Sequence, residues 1–471
     1  MPEAVARFGG GILFIWLLAL LLLAVPLLAF DLACSLTLRG TPAASLRRIS
    51  RHMAIWGHLQ SLLCLVFGML LLMLSIWSLA ILLDGLTHAM IGGAALWTGH
   101  GSGAMMELLT DPEGNAAGVS SIAMLPMGGV LMIGVLIWLL IHRLIAWPDE
   151  RFRPYCIALV IGMFGSALLG LGLMQFWPVM PFTAPPDLWA GSSPSYLAMV
   201  VEAISWIFCG AALGAALLGQ SALRRSQGSD VFAGALWALG LGGCAFLAWL
   251  FASGVLLSIG GLVLAGPSLD DLRAPLQTLL FGLPQGLFIA GGEGWLGHLL
   301  AAIGLSFLFF WSCLSASYLL RVVAGAWERD YGCSASDARN AVVLIGLLSC
   351  LVFAHRQGLF LWMAIFDSLR YLALPGLSLL LLVLVNQRLG LRGLADHLRS
   401  YSVIPIPVWW SWWAQCLVPV ALAGYLCLAL LYHFAWWGDG WQDARWRLAG
   451  FVSLLLVISA AWMLHQRGLR R

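Results

Sequence analysis

The residues of this chain that could do chemistry are a few charges set inside apolar runs. Asp31 lies in the first such run, where a charge costs about 3 kcal/mol unless it is paired or hydrated. It reads either as a structural acceptor for backbone amides or as a residue of a transport path. Asp367 and Arg370 are three apart in FDSLRY, a spacing that predicts an ion pair on one helix face. Arg321 follows Ser317 by four positions and is expected to snorkel to the interface. His88, His100, Glu107, Asp111 and Glu113 share the segment 84–121, but their spacing fits no metal-ligand pattern and suits a solvated loop. No phosphate-binding glycine loop, nucleophile elbow or catalytic carboxylate pair is evident, so an enzyme is not expected.

These charges need apolar elements to hold them. Of 471 residues, 61% are hydrophobic and 10% charged, against roughly a quarter charged in a soluble domain; mean hydropathy is +0.94. That composition predicts an all-α polytopic membrane protein, because only helices and closed barrels satisfy their backbone within lipid. A net charge of +3 is too small to suggest a nucleic-acid partner. The basic residues are all arginine. The ten cysteines form no CxxC, and most lie in apolar runs, which suggests buried small hydrophobes rather than a disulfide framework. The first apolar run is too long for a signal peptide, and Asp31 argues against lipidation at Cys34.

Runs long enough to span a bilayer lie near 11–37, 54–83, 122–144, 155–177, 195–220, 231–264, 295–326, 341–361, 363–386, 408–434 and 447–465, about eleven spans. Segment 265–294, half apolar and broken by Pro and Gly, reads as a re-entrant hairpin. Arginines cluster after alternate spans. Seventeen mark the expected cytoplasmic face and six the other, Arg370 among the six, while Arg321 lies within a span. The amino terminus is then outside and the carboxyl terminus inside, in a cell inner membrane. Trp409, Trp410, Trp412 and Trp413 read as an inner aromatic belt, and Trp436, Trp437 and Trp441 as an outer one.

Several segments resemble the neurotransmitter:sodium symporter family. GLPQGLFIAGGEGWLGHLLAAIGLSFLFFWSCLSASYLLRVVAGAWERDYGCSASDA resembles the family's LP…GG…G loop, its FF…LTS helix and the turn that follows. LFLWMAIFDSLRYLALPGLSLLLLVLV resembles the FD-L-DYL…LP-G helix, IPIPVWWSWWAQCLVPVALA the start of the next-to-last helix, and RFGGGILFIWLLALLLLAVPLLAFDLACSL the NGGGAF…P segment. RRISRHMAIWGHLQSLL looks like the start of the third family helix. The resemblance implies a broken-helix inverted-repeat transporter fold. Residues 1–194 would be a remnant of the first repeat, 195–400 the second, and 401–471 two final helices. The family's glycine triplet follows its first helix; here it stands at residues 9–11, so the resemblance also implies that this chain lacks the family's first helix.

The resemblance places solute and sodium near the midplane, between unwound helices. Glu202, Ser205, Gly210 and Gly214 are the candidate solute contacts on the surviving broken helix, with Glu202 either a ligand or a solvated outer-end residue. Ser315 is the residual sodium ligand. Leu314 stands where the family has a hydroxyl, and 231–264 contains no Asn. Arg370 stands where a gate aspartate is expected, so Asp31, Asp367 and Arg370 are assigned structural or gate roles. No organic cofactor is expected. Sodium is the one ion the resemblance implies, yet losing several oxygens at once argues against tight binding. Two readings stay open. One is a divergent carrier of small amino-acid-like or amine-like solutes; the other is a transport-inactive scaffold that docks a partner protein or a separate transmembrane helix in the first-helix position.

Overall fold

The computed structural model describes residues 11–38, 40–91, 127–147, 196–209, 294–353, 358–399, 408–435 and 441–470, with isolated positions between them. The described helices are α1 (Gly11–Ala19), α2 (Val25–Leu38), α3 (Pro42–Ile49), α4 (Ala54–Ile91), α5 (Met127–Ile145), α6 (Tyr196–Cys209), α7 (Trp295–Tyr331), α8 (Ala335–Phe353), α9 (Gly358–Ser368), α10 (Leu374–Leu389), α11 (Leu391–Arg399), α12 (Val408–Trp412), α13 (Val418–Ala435) and α14 (Trp441–Arg470). The described residues contain helices and no strands. Among the described residues, seven helical stretches are long and apolar enough to cross a membrane, and two shorter apolar ones lie at Met132–Ile145 and Tyr196–Phe208. This is a multi-pass, all-helical membrane protein. Most of the expected span 155–177, all of 231–264 and most of 265–294 lie outside the described residues, as do Gly210, Gly214, His100, Glu107, Asp111, Glu113, Trp436 and Trp437.

Three spans are interrupted in the same way. π-Helical stretches run Leu20–Ala24, Leu369–Ala373 and Trp413–Leu417. Pro26, Pro375 and Pro419 each follow two residues after the end of one. Proline cannot donate to the carbonyl four residues back, and its ring crowds that carbonyl. A wider turn relieves the crowding while keeping the chain helical. For Pro26 that carbonyl belongs to Leu22, and Trp413 Nε1 donates to it at 2.8 Å. The first and third interruptions are therefore fastened to each other.

The centre of the bundle is α4 packed along α7. Gly68 allows the close approach: a Cβ there would sit 2.9 Å from the Leu320 side chain. Ser75 and Ser312 join the two helices by a 2.9 Å hydroxyl bond, and Trp362 on α9 donates from Nε1 to the Leu70 carbonyl at 2.9 Å. The short helix α3 starts as its sequence dictates, with Thr41 as N-cap accepting from Ala44 N and Pro42 in the first turn. It folds tightly onto α4, where a Cβ on Gly57 would overlap the Pro42 and Ala43 backbone. Thr41 Oγ1 also donates to Asp330 Oδ1 at 2.7 Å, tying α3 to the end of α7. There Gly332 takes a left-handed φ of 68° to turn into α8.

Two expectations change. The inner belt is not uniform: Trp409 and Trp412 are exposed, but Trp410 is fully buried, because consecutive helical residues point about 100° apart. The cysteines divide as well. Cys34, Cys64, Cys313 and Cys350 are buried, whereas Cys333, Cys416 and Cys427 are exposed, the last two on the outward face of a span.

Candidate functional site

The π-helical stretch Leu369–Ala373 carries the charges that matter. Arg370 was counted among the outer arginines. It lies instead within a span and is buried, its side chain only 6% exposed. Its Nε donates to Asp367 Oδ1 at 2.7 Å, and its Nη1 to Glu202 Oε1 on α6 at 3.0 Å. A third donor, Nη2, meets the Tyr371 hydroxyl oxygen at 3.0 Å. Tyr371 in turn donates its hydroxyl to Glu202 Oε2. Trp206, one turn after Glu202, donates from Nε1 to Glu202 Oε1 at 2.9 Å. The guanidinium carbon also stands 4.4 Å from the Tyr371 ring centroid and 4.8 Å from that of Trp206, within cation–π range of both.

Glu202 is therefore not a solvated outer-end residue. Its side chain is 13% exposed and both of its oxygens accept bonds from neighbouring groups. Asp367 is more open, at 38%. The arrangement is a polar core graded from Asp367 at the accessible edge to Glu202 and Arg370 within. It bridges α6 to the kinked helix formed by α9, the π-helical stretch and α10. Beside it Phe366 stacks on Trp362, centroids 5.0 Å apart, and meets the Trp206 ring at a tilt of 60° with centroids 6.4 Å apart.

The other candidate residues fall elsewhere or serve the backbone. Ser205 is buried, and its hydroxyl donates to the Glu202 carbonyl at 2.8 Å. Asp31, 2% exposed, lies within Coulomb range of the Cys34 and Cys64 thiols, on its own helix and on α4. On α7, Leu314 is buried and Ser315 half-buried. The neighbouring hydroxyls donate within their own helix, Ser312 to the Phe309 carbonyl and Ser317 to the Cys313 carbonyl, while the Ser312 oxygen also accepts from Ser75 on α4. No group of three or more His, Cys, Asp or Glu that could hold a metal occurs among the described residues.

Sequence reasoning paired Asp367 with Arg370 but missed Glu202, Tyr371 and Trp206 as partners. The signals were weak ones: Trp206 stands one helical turn from Glu202, and Tyr371 is adjacent to Arg370.

No protein-family model matches the chain, and no curated protein does. Solved structures do. MhsT, a transporter of the neurotransmitter:sodium symporter fold, in a structure described as its complex with L-phenylalanine, aligns over 91% of this chain and 93% of its own, with a TM-score of 0.63 and 14% identity. At that identity the likeness shows the fold, so this chain has the neurotransmitter:sodium symporter fold.

Proposed function

We propose that this protein is a solute carrier of the inner membrane that moves small amino-acid-like or amine-like molecules. In this reading the Glu202–Arg370 contact serves as a closure between α6 and the kinked helix. Support for a transporter-like role comes from the fold, and the L-phenylalanine named with MhsT suggests the class of solute.

The observation that carries the reading is how the buried pair is shared. A buried ion pair split in two ordinarily strands both charges, at about 3–5 kcal/mol. Here each partner keeps company if α6 moves away. Glu202 retains the Trp206 indole N–H on its own helix, and Arg370 retains Asp367 and Tyr371 on its own. Parting the helices breaks the Arg370–Glu202 and Tyr371–Glu202 contacts without orphaning either charge. A contact built that way suits reversible closure better than permanent bracing.

The same chain gives a specific reason to keep the scaffold reading. The Leu314 side chain has no oxygen to offer a sodium ion, and the oxygen of Ser312, two residues before it, already accepts the Ser75 hydroxyl. Coupling to sodium is therefore proposed to be weak or replaced.

Uptake by the purified chain in proteoliposomes tests this. A panel of radiolabelled amino acids and amines is offered with and without a sodium gradient. The carrier reading expects saturable uptake of at least one solute with less than a several-fold response to sodium. Absence of both binding and uptake across the panel overturns it in favour of the scaffold. A strong sodium dependence overturns the reading of the eroded ion site.

A further inference from the structure

We infer that parting α6 from the kinked helix takes up one proton on Glu202, and that this proton, in place of sodium, couples solute movement across the membrane. This rests on the carrier reading and names its coupling ion. What carries it is an asymmetry in how the joined pair is shared. Arg370 leaves the contact with a counter-charge, because Asp367 stands one turn away on its own helix and accepts from its Nε. Glu202 leaves with a neutral donor only, the Trp206 indole. Its own helix, YLAMVVEAISWIFC, supplies no basic residue.

Among the described residues, the elements around Glu202 offer no second cation. α1 and the π-helical stretch Leu20–Ala24 pack on α6 and contain no ionisable side chain. α13 brings Tyr425 into a small apolar cluster with Val201 and Tyr371, and a phenol carries no positive charge. The kinked helix presents Asp367, Arg370 and Tyr371. Arg447 on α14 lies within Coulomb range of Asp367, where Gly450 closely approaches Ala364 and Ser368. It belongs to the Asp367 edge of the core. Asp367 keeps Arg370 whether the helices are joined or parted, so it takes no part in the linkage.

Joined, three donors meet the Glu202 carboxylate: Arg370 Nη1 and Trp206 Nε1 at Oε1, and the Tyr371 hydroxyl at Oε2. That set complements the charged form. Parted, Oε2 loses its donor and the carboxylate loses its cation, and an ionised carboxylate within an apolar bundle without a cation is disfavoured against the neutral acid. A proton from water admitted by the opening then bonds to Oε2, while Trp206 continues to serve Oε1. When the helices rejoin, the guanidinium and the phenol take back their places and the proton returns to water. Acid therefore favours the parted arrangement, by about tenfold per pH unit for one linked proton.

The full chain in nanodiscs is titrated from about pH 8 to about pH 5. Infrared difference spectra follow the C=O stretch of protonated carboxyl groups, and amide hydrogen exchange of α6, corrected for intrinsic rate, follows the parting. In proteoliposomes, the solute panel is offered under an acid-outside gradient with and without a protonophore. The expected result is a carboxylic acid band that grows on acidification together with faster α6 exchange. Uptake should rise by up to about tenfold per pH unit of gradient and collapse with the protonophore. Glu202→Gln should remove the band and leave exchange and uptake indifferent to pH, whereas Asp367→Asn should keep the band. Should Glu202→Gln not fold, Glu202→Asp retains an acid and should shift the band while preserving the pH response. A band untouched by either Glu202 variant, or α6 exchange that ignores pH, overturns the inference. Solute uptake indifferent to the proton gradient overturns it too and leaves the carrier reading standing. The band and the pH-linked exchange without uptake of any solute give the reverse: Glu202 binds its proton, and the carrier reading falls with the coupling.

Discussion

Replacing Arg370 with Met keeps an unbranched apolar stem and removes the guanidinium, which isolates what the charged end contributes to the polar core. Arg370 donates to Glu202, Asp367 and Tyr371, but these bonds are not equal. Asp367 is 38% exposed, so its pair with Arg370 is screened and contributes about 0.2–1 kcal/mol. The Glu202 pair is desolvated on both sides, at 13% and 6% exposed, and breaking such a pair costs about 3–5 kcal/mol. Three cation–π contacts, with Tyr371, Trp206 and Phe366, are lost as well, but Glu202 keeps donors from Trp206 and Tyr371. Arg370→Met should therefore destabilise by about 3–5 kcal/mol, and Asp367→Asn by no more than about 1 kcal/mol. The check is reversible unfolding by SDS in mixed micelles, read as a double-mutant cycle with Glu202→Gln. The double variant should cost less than the sum of the singles by at least about 1 kcal/mol. Additivity within about 0.5 kcal/mol, or an Asp367→Asn variant as damaging as Arg370→Met, would refute a desolvated Glu202–Arg370 pair.

Three further outcomes follow from the packing. Gly57→Ala should destabilise by about 1–3 kcal/mol, since its Cβ overlaps the α3 backbone, whereas Gly376→Ala, with nothing within 4 Å, should be neutral or mildly stabilising in the same titration. Thr41→Val removes both the cap on Ala44 and the bond to Asp330. It should lower stability by about 1–2 kcal/mol, with Thr41→Ser recovering most of the loss. Thiol labelling of the folded protein in membranes, mapped by peptide mass, should modify exposed Cys333 with a polar reagent. Cys313 and Cys350 should stay protected until denaturation, and Cys416 and Cys427 should react only with a membrane-permeant maleimide.

The helices were legible because run length and apolarity are local properties. The stretches expected near 54–83, 295–326 and 408–434 fall within Ala54–Ile91, Trp295–Tyr331 and Val408–Ala435. Local spacing was equally sufficient for the Asp367–Arg370 contact, one helical turn long. Glu202 was harder. It was read as either a ligand or a solvated outer-end residue, yet its partner stands 168 positions away, and nothing in the sequence states which of several intramembrane charges meet. Trp410 shows a similar limit. Composition marks a cluster of tryptophans as interfacial, but which of them faces inward depends on the phase of a helix bent by its own π-helical turn. α3 was not foreseen as a separate helix: its last residues were read with RRISRHMAIWGHLQSLL as the start of the following family helix, and the Thr41–Pro42 start signal was not used.

The prolines explain why the polar core sits where it does. Each of the three π-helical stretches relieves a proline, but the relief is put to different use. At Pro26 the freed Leu22 carbonyl is taken by Trp413, which lies in another of the widened turns, so two weak points are converted into one brace. At Pro375 the residue four back is Tyr371, and its neighbour is Arg370. A wider turn adds a residue to the local register and rotates side chains relative to a regular α-helix. Arg370 and Tyr371 both lie in that turn and both reach Glu202. Because they share one irregular turn, bending at this point moves the guanidinium and the phenol together relative to α6. A change at the kink thus acts on both bonds to Glu202 at once. In the proposed carrier reading, the bonds from Arg370 and Tyr371 to Glu202 therefore form and break together, which is what a closure between two helices requires.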